Sequence, residues 1–232
     1  MQQLAATDWK AVEADLVEHG HAVLRKLLEP QACAEIAKLW EVESHFRKQI
    51  DMARHRYGQG EYRYFAYPLP PPIAALREGL YPPLAAIANR WQEALRREAR
   101  FPATLPAFLA HCHAHGQERP TPLLLRYEAG GWNALHQDLY GEIAFPLQAT
   151  VLLSRPGVDF EGGEFLLVTQ RPRAQSRGEA VALGLGDTIL FPNADRPGSG
   201  ARGPVRWSTR HGVSTIRQGQ RLTLGLIFHD AK

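Results

Sequence analysis

The architecture of this chain can be inferred from two neighbouring segments, Ser208-Thr-Arg-His-Gly-Val-Ser214 and Arg221-Leu-Thr-Leu-Gly-Leu-Ile-Phe228. The second segment is an apolar run of strand length, which is typical of a buried β-strand. It begins with Arg221, a cation that is costly to bury unless a carboxylate pairs with it. We therefore expect a buried strand whose first residue binds an anion, with His211 just before that strand.

Further short strands are predicted over the part of the chain that follows about residue 120. Glycine and proline turn signals separate them, as in the Glu-Gly-Gly of residues 161–163, and this pattern favours a sandwich or barrel. The predicted strands are Leu123–Tyr127, Ala144–Leu153, Glu164–Val168, Ala180–Leu183, Thr188–Phe191, Val205–Trp207 and Leu222–Phe228.

The first 120 residues are predicted to be mainly helical. Helices are expected from a cap at Thr7-Asp8 through Val17, from Pro30 to Trp40, and after Pro82-Pro83 to Leu95. A short strand should follow Gly20, and residues 54–72, rich in arginine and aromatic side chains, should form a long ordered loop. We expect one domain over residues 1–232. Residues 1–120 would give helical support and substrate loops, and residues 121–232 the β-core.

Composition places the chain among ordinary globular proteins, because 44% of its 232 residues are apolar and its net charge is +3. The two cysteines, Cys33 and Cys112, are too few for a disulfide framework. No export signal and no membrane-spanning run is visible, so a cytoplasmic protein is expected. Charge is uneven, since residues 171–221 hold nine arginines, no lysine and three acids. Such a stretch could attract a polyanion or be a solvated surface loop.

A metal site is predicted from His136, Asp138 and His211. His136 and Asp138 lie two residues apart, so in extended chain that bends into a loop both side chains can face one ion. Two histidines and one carboxylate form the ligand set of non-haem Fe(II) oxygenases, which leaves coordination positions open for a cosubstrate and O₂. A His-x-acid pair alone occurs by chance, so the value of this set depends on His211 and on Arg221.

Arg221 is predicted to grip a dicarboxylic cosubstrate. A guanidinium can bind a carboxylate through two parallel hydrogen bonds. Thr223 points to the same side of a strand as Arg221 and can add a hydrogen bond. Tyr127, at the end of the strand that precedes the metal loop, is a third candidate contact.

These residues together resemble the 2-oxoglutarate/Fe(II)-dependent dioxygenases over about residues 120–230. The resemblance is carried by Tyr127, Gly130, His136-x-Asp138, Gly162-Gly163, Gly186-Asp187, His211 and Arg221-x-Thr223. It implies an α+β chain with a mainly β core, a double-stranded β-helix (jelly roll, cupin-like) with N-terminal helices packed outside. It also implies Fe(II) and 2-oxoglutarate as cofactors and O₂ as cosubstrate. The substrate would be hydroxylated, with release of succinate and CO₂.

A narrower resemblance concerns the substrate. A bacterial family of these oxygenases, suggested to act on nucleic acid, including alkylated bases, is similar to this chain over the segments His136–Glu142, Phe145–Gln148, Gly162–Phe165, Gln170–Arg173, Gln175–Arg177, Arg210–Ser214 and Phe228–Asp230. Two departures are present. The nucleic-acid dealkylases have a second arginine six residues after the cosubstrate arginine, where this chain has Ile227. The prolyl 4-hydroxylases usually have lysine in place of Arg221.

Three substrate classes therefore stay open at this point, together with a non-enzymatic nucleic-acid-binding or cupin-like module. In the first, arginines contact phosphates while an aromatic side chain stacks on a flipped base. In the second, the loops clamp a peptide for prolyl-type hydroxylation, and in the third the substrate is a small metabolite. The substrate candidates are Tyr64, Tyr140, Gln148, Arg171, Arg173, Arg177 and Arg210, with Tyr62, Phe65, Arg202 and Arg206 as further contacts.

Overall fold

A computed structural model describes residues 2–98, 100–139, 141–201 and 203–232. The helices are α1 (Gln2–Ala5), α2 (Trp9–Glu18), α3 (Pro30–Lys38), α4 (Met52–His55), α5 (Pro71–Ala94) and α6 (Leu105–Ala114). The first strands are β1 (Ala22–Leu24), β2 (Phe46–Asp51), β3 (Gly58–Gln59), β4 (Glu61–Phe65), β5 (Leu123–Glu128), β6 (Trp132–His136) and β7 (Leu147–Leu152). The later strands are β8 (Phe160–Gly162), β9 (Phe165–Gln170), β10 (Arg177–Val181), β11 (Thr188–Pro192), β12 (Asp195–Gly200), β13 (Gly203–Val213) and β14 (Ile216–Ile227).

Two antiparallel sheets form the core. Over the described residues, the larger sheet has the order β1-β11-β7-β14-β5-β4-β2, and β8 also pairs with β14. The smaller sheet has the order β10-β9-β13-β6-β3, and β12 also pairs with β13. Side chains of the two sheets meet between them, for example Phe165 of β9 and Phe191 of β11, whose ring centroids are 4.7 Å apart. This is the arrangement predicted for a jelly-roll core.

The long strands β13 and β14 extend beyond their predicted bounds. His211 precedes the last strand, as expected, and itself lies inside β13, which pairs with both β9 and β6. β14 begins at Ile216, because its first residues pair with β8. The strands β6, β8 and β12 were not predicted.

Helices α2, α3, α5 and α6 pack with one face of the larger sheet, outside the space between the sheets, as predicted. Asp8 caps α2 by accepting hydrogen bonds from the backbone N–H groups of Lys10 (3.0 Å) and Ala11 (3.1 Å). The predicted start of the third helix is wrong: α5 begins at Pro71 and carries Pro82 and Pro83 inside it. Proline removes backbone hydrogen bonds from a helix interior. Apolar side chains before and after the two prolines, including Leu80 and Leu84, are buried, and this burial offsets the lost hydrogen bonds.

The prediction of a loop over residues 54–72 is wrong as well. β2 and β4 form a hairpin, and β4 continues the larger sheet by pairing with β5, with Tyr62 opposite Leu125. Helix α6, which carries His111 and His113, is not among the helices predicted from the sequence. The single domain over residues 1–232 stays a prediction.

Candidate metal centre

The two histidines of the predicted triad lie on neighbouring strands. His136 ends β6 and is the register partner of His211 in β13. The next pair in the register is Asn133 with Val213. Two residues of β6 but only one residue of β13 lie between these pairs, which is a β-bulge in β6. Gly212 lies opposite this bulge, where a Cβ atom would be 2.7 Å from the carbonyl oxygen of Asn133. A side chain at position 212 would therefore push the two ligand strands apart.

Asp138 completes the triad. Its carboxylate oxygens lie 3.5 Å from Nε2 of His136 and 3.2 Å from Nε2 of His211. Burial alone would raise the pKa of Asp138, but hydrogen bonds and the positive ends of the two imidazoles hold it well below its ordinary value. Burial lowers the pKa of His211. Burial would lower the pKa of His136 as well, but the hydrogen bond and the charge of Asp138 raise it above its ordinary value. Asp138 is therefore held as a carboxylate, the form in which it binds metal, and the two imidazoles must give up their shared protons when a metal binds.

The donor set fits Fe(II). One ligand atom from each of the three residues lies within 4.8 Å of the others. Nδ1 of His136 is 2.7 Å from the carbonyl oxygen of Ala134, so its Nε2 is left to face an ion. Nδ1 of His211 is buried and has no hydrogen-bond partner among the described residues. Three ligands on one side of an ion leave the other positions for a chelating cosubstrate and O₂.

Arg221 is 2% exposed. Within the described ranges, no carboxylate lies at ion-pair distance from it, and its Nε has no hydrogen-bond partner. Its guanidinium lies 5.8 Å from the ring centroid of Tyr127, its register partner on β5, and 5.9 Å from that of Phe160. Burial lowers the pKa of Arg221 to about 10, so the side chain is still a cation at neutral pH. A carboxylate from a ligand is the group that fits this position.

One cavity of about 260 Å³ contains both the triad and Arg221. It unites eight of the main candidates for metal, cosubstrate or substrate binding with residues of the N-terminal hairpin. The predicted residues in its wall are His136, Asp138, His211, Arg221, Thr223, Tyr127, Gln148 and Tyr64. Gln148 lies close to the triad, with its Nε2 3.5 Å from Nε2 of His211.

Comparison with known proteins identifies the family. Residues 60–231 match the Oxygenase-NA family, described as "Oxygenase, catalysing oxidative methylation of damaged DNA". The chain belongs to this oxygenase family. It is also 54% identical over 167 residues to the Mycobacterium tuberculosis protein named "Uncharacterized protein Rv2227", and the alignment covers 72% of each protein.

Solved structures support the fold of this oxygenase. It is similar to a Pseudomonas putida prolyl-4-hydroxylase, with a TM-score of 0.54, 15% identity and coverage of 97% of this chain and 99% of the other. It is also similar to the non-heme alpha ketoglutarate dependent epimerase SnoN from nogalamycin biosynthesis, with a TM-score of 0.57, 17% identity and coverage of 95% and 81%. The predicted double-stranded β-helix is confirmed, as is the predicted superfamily.

Four predicted substrate arginines lie away from the cavity of the oxygenase. Arg171 is stacked on Trp207, with its guanidinium 4.2 Å from the ring. Arg173 is exposed in the turn between β9 and β10, Arg177 is exposed at the start of β10, and Arg210 is exposed on the strand face opposite His211. Their role in substrate binding stays a prediction, and Tyr140 and Arg202 lie outside the described residues.

Several residues of the cavity wall were missed from the sequence. They include Met52, Tyr57, Asn133, Thr150 and Phe191. The aromatic content of residues 57–65 was the available signal, but the pairing of β3 with β6 and of β4 with β5 was needed to place it. No helix in the described ranges is long and apolar enough to cross a membrane. The cytoplasmic location stays a prediction.

Proposed function

We propose that this oxygenase removes alkyl groups from damaged DNA by oxidising them, with Fe(II) and 2-oxoglutarate as cofactors. The observation that carries the chemistry is the unpaired, buried Arg221 in the same cavity as the His136, Asp138 and His211 triad. A dicarboxylic cosubstrate can reach both, with one end on the metal and the other on the guanidinium. The DNA substrate is supported by the description of the family.

Each part of the cavity has a distinct role in this proposal. His136, Asp138 and His211 would hold Fe(II), which supplies the activation of O₂ when bound. Arg221 would bind the far carboxylate of 2-oxoglutarate, with the hydroxyl groups of Thr223 and Tyr127 beside it. Burial of Arg221 and Tyr127 excludes water, so the ion pair with the carboxylate is stronger than it would be in solvent.

The reaction inserts one oxygen atom of O₂ into a C–H bond of an N-methyl group. The other oxygen atom enters succinate, and 2-oxoglutarate loses its C1 carboxyl as CO₂. The hydroxymethyl group formed on the base nitrogen then leaves as formaldehyde, and the nitrogen regains a proton. The aromatic side chains of Tyr62 and Tyr64 in the cavity wall offer stacking surfaces for a base that has left the helix stack.

The test measures succinate and formaldehyde with single-stranded oligonucleotides that carry one N-methylated base. We expect the two products in equal amounts with methylated DNA and none of the formaldehyde with the unmethylated oligonucleotide. Asp138→Ala should abolish both products. Arg221→Met should raise the 2-oxoglutarate requirement roughly 10- to 100-fold while Fe(II) binding is retained, because a charge-assisted hydrogen bond is worth about 1.5–3 kcal/mol.

Two outcomes would contradict the proposal in different ways. Equal loss of metal and of cosubstrate binding in Arg221→Met would contradict the role of Arg221. Succinate formation that is stimulated by proline-rich peptides but not by methylated DNA would keep the cofactors and replace the substrate by a protein.

A further inference from the structure

The segment between β2 and β4 closes one side of the cavity and touches both sheets. The N–H group of Ala134 in β6 donates to the carbonyl oxygen of Tyr57 (2.8 Å), which attaches the segment to the smaller sheet. Gly60 has φ +152°, and a Cβ atom there would lie 2.7 Å from the ring of Tyr127 in β5. The segment is therefore held in place beside the strand that carries His136.

Arg54-His55-Arg56-Tyr57, here named the rim turn, combines positive charge with aromatic surface on this segment. Tyr57 lines the cavity, yet it is 52% exposed, so its ring is accessible from solvent and from the cavity. His55 stacks on it, with ring centroids 5.5 Å apart and planes inclined by 19°. The side chain of Arg54 is 82% exposed, and Arg56 is exposed as well. The rim turn thus presents two cations beside an aromatic pair at the cavity mouth.

Arginines close to the rim turn in sequence are bound to the fold instead. Arg63 stacks on Trp40 at 4.4 Å and donates to its carbonyl oxygen (2.8 Å). Arg47 donates to the carbonyl oxygen of Pro120 (2.9 Å). Among the residues that the structure describes, Arg54 forms an exposed ion pair with Asp51 at 3.3 Å, of a kind that holds a side chain weakly. This difference leaves the cations of the rim turn available for a ligand.

The backbone of Arg56 is strained. It has φ 60° and ψ 28°, in the left-handed region that favours glycine, and it caps the C-terminal end of α4. Glycine would adopt this conformation without a Cβ penalty but would lack the guanidinium. An exposed guanidinium therefore stands at a position where the backbone alone would favour glycine, as it also does at Arg96 and Arg173.

We propose that the rim turn binds the backbone of single-stranded DNA next to the nucleotide that enters the cavity. Arg54 and Arg56 contact phosphates, and Tyr57 stacks on a base, a combination typical of single-strand binding. This inference rests on the proposed function, because it assumes a DNA substrate. The rim turn precedes residue 60, where the family match begins, so membership of the family does not assign it. In this proposal the arginines of the rim turn, rather than those of residues 171–177, are the first side chains to contact phosphates.

The main test compares the salt dependence of binding to a fluorescent, single-stranded oligonucleotide. Each phosphate contact adds about 0.7 to the slope of log affinity against log salt. Arg54→Gln/Arg56→Gln should therefore lower the slope by about 1.4. The matched control, Lys10→Gln/Lys38→Gln, removes two exposed cations from helices remote in sequence and should keep the slope of the wild type.

The outcomes separate the two proposals. If the wild type binds and dealkylates methylated DNA but Arg54→Gln/Arg56→Gln has the same salt dependence of binding as the wild type, the inference is wrong and the proposed function stands. If the wild type does not bind DNA at low salt, or binds an acidic peptide in its place, both are wrong.

Two further variants separate DNA binding from folding. Arg56→Gly should melt at the same or a higher temperature than the wild type but bind DNA more weakly. A lower melting temperature together with weaker binding would show a structural role and overturn the inference. Tyr57→Ala should weaken DNA binding about fivefold or more, whereas Tyr57→Phe should retain it because the stacking surface is kept. Equal binding by Tyr57→Ala and Tyr57→Phe would contradict the stacking role.

Discussion

Arg77 and Arg221 are both buried, 1% and 2% exposed, but Arg77 contacts the C-terminal end of β14 whereas Arg221 lies within that strand, and their surroundings differ. At the end of the strand, Arg77 of α5 donates to the carbonyl oxygens of Ile227 (3.1 Å) and Phe228 (2.9 Å). It also forms an ion pair with the buried Asp230 at 2.8 Å. Near the middle of the strand's length, Arg221 has no such partner in the described part of the chain.

This difference distinguishes a structural cation from one that is kept for a ligand. The charge of Arg77 is compensated by groups of the fold, so it joins α5 to the end of β14. The charge of Arg221 remains uncompensated until an anion arrives, and its burial weakens the folded protein in the absence of that anion. Burial of an arginine is therefore not enough to indicate its role; its hydrogen-bond partners are needed.

The largest expected effect is the loss of stability in Arg77→Met. Removal of Arg77 leaves Asp230 buried without its main partner, which costs about 3–5 kcal/mol in the free energy of unfolding. The same substitution at Arg221 serves as the control and should leave the ligand-free protein at least as stable as the wild type. Urea unfolding of the three proteins measures both effects. Equal destabilisation by the two substitutions would remove the distinction between these arginines.

A second prediction concerns pH at the Arg77 end of β14. Burial, with a further contribution from the charge of Arg77, lowers the pKa of His229 to about 4. Between pH 6.5 and pH 4 the unfolded chain therefore binds a proton that the folded chain does not, so the folded state loses stability as the pH falls. The total loss is on the order of 3 kcal/mol.

His229→Gln checks this pH dependence, because a glutamine oxygen can still accept the hydrogen bond from the N–H group of Phe145 (3.2 Å). Urea unfolding at several pH values between 7 and 4 should give a shallower fall in stability for the variant than for the wild type. Parallel curves would show that His229 does not contribute.

The smallest expected effect concerns the hydroxyl groups near the two arginines. Thr223→Val should raise the 2-oxoglutarate requirement about two- to tenfold, since a neutral hydrogen bond contributes about 0.5–1.5 kcal/mol. Its matched control is Thr121→Val, because Thr121 donates to the carbonyl oxygen of Ile227 (3.2 Å) at the Arg77 end. The control should lower stability without changing the cosubstrate requirement. Cosubstrate titrations that respond equally to both substitutions would contradict this prediction.

Much of the site could be predicted because its residues lie at short and regular spacing. Arg221 and Thr223 share a face of β14 by the two-residue repeat of a strand, and His136 and Asp138 lie two residues apart. The approach of His136 and Asp138 to His211 is a long-range contact that local spacing does not give. Arg221, a cation in an apolar strand, nevertheless indicated that the site binds a carboxylate. The sequence did not indicate Arg77, since an arginine in a helix is usually exposed.

The part of the cavity wall that β3 and β4 form could not be predicted, because these strands pair with strands that are distant in sequence. β4 becomes a strand of the sheet only through β5, which begins at Leu123, and nothing near Tyr62 in the sequence identifies that partner. Pro82 and Pro83 gave a misleading signal for a different reason. They are typical of a helix start, but apolar burial along the whole of α5 overrides that preference.

The pairing of His136 with His211 has a consequence for the handling of the protein. In the described structure β6 is flanked on one side by β13 and on the other by β3, which has two residues, so it lies close to the edge of its sheet. An ion bound by both histidines would act as a cross-link between this strand and β13. Chelators should therefore loosen it, and a freed strand edge is a template for aggregation. Light scattering during storage should show that chelated samples form aggregates earlier than samples kept with metal.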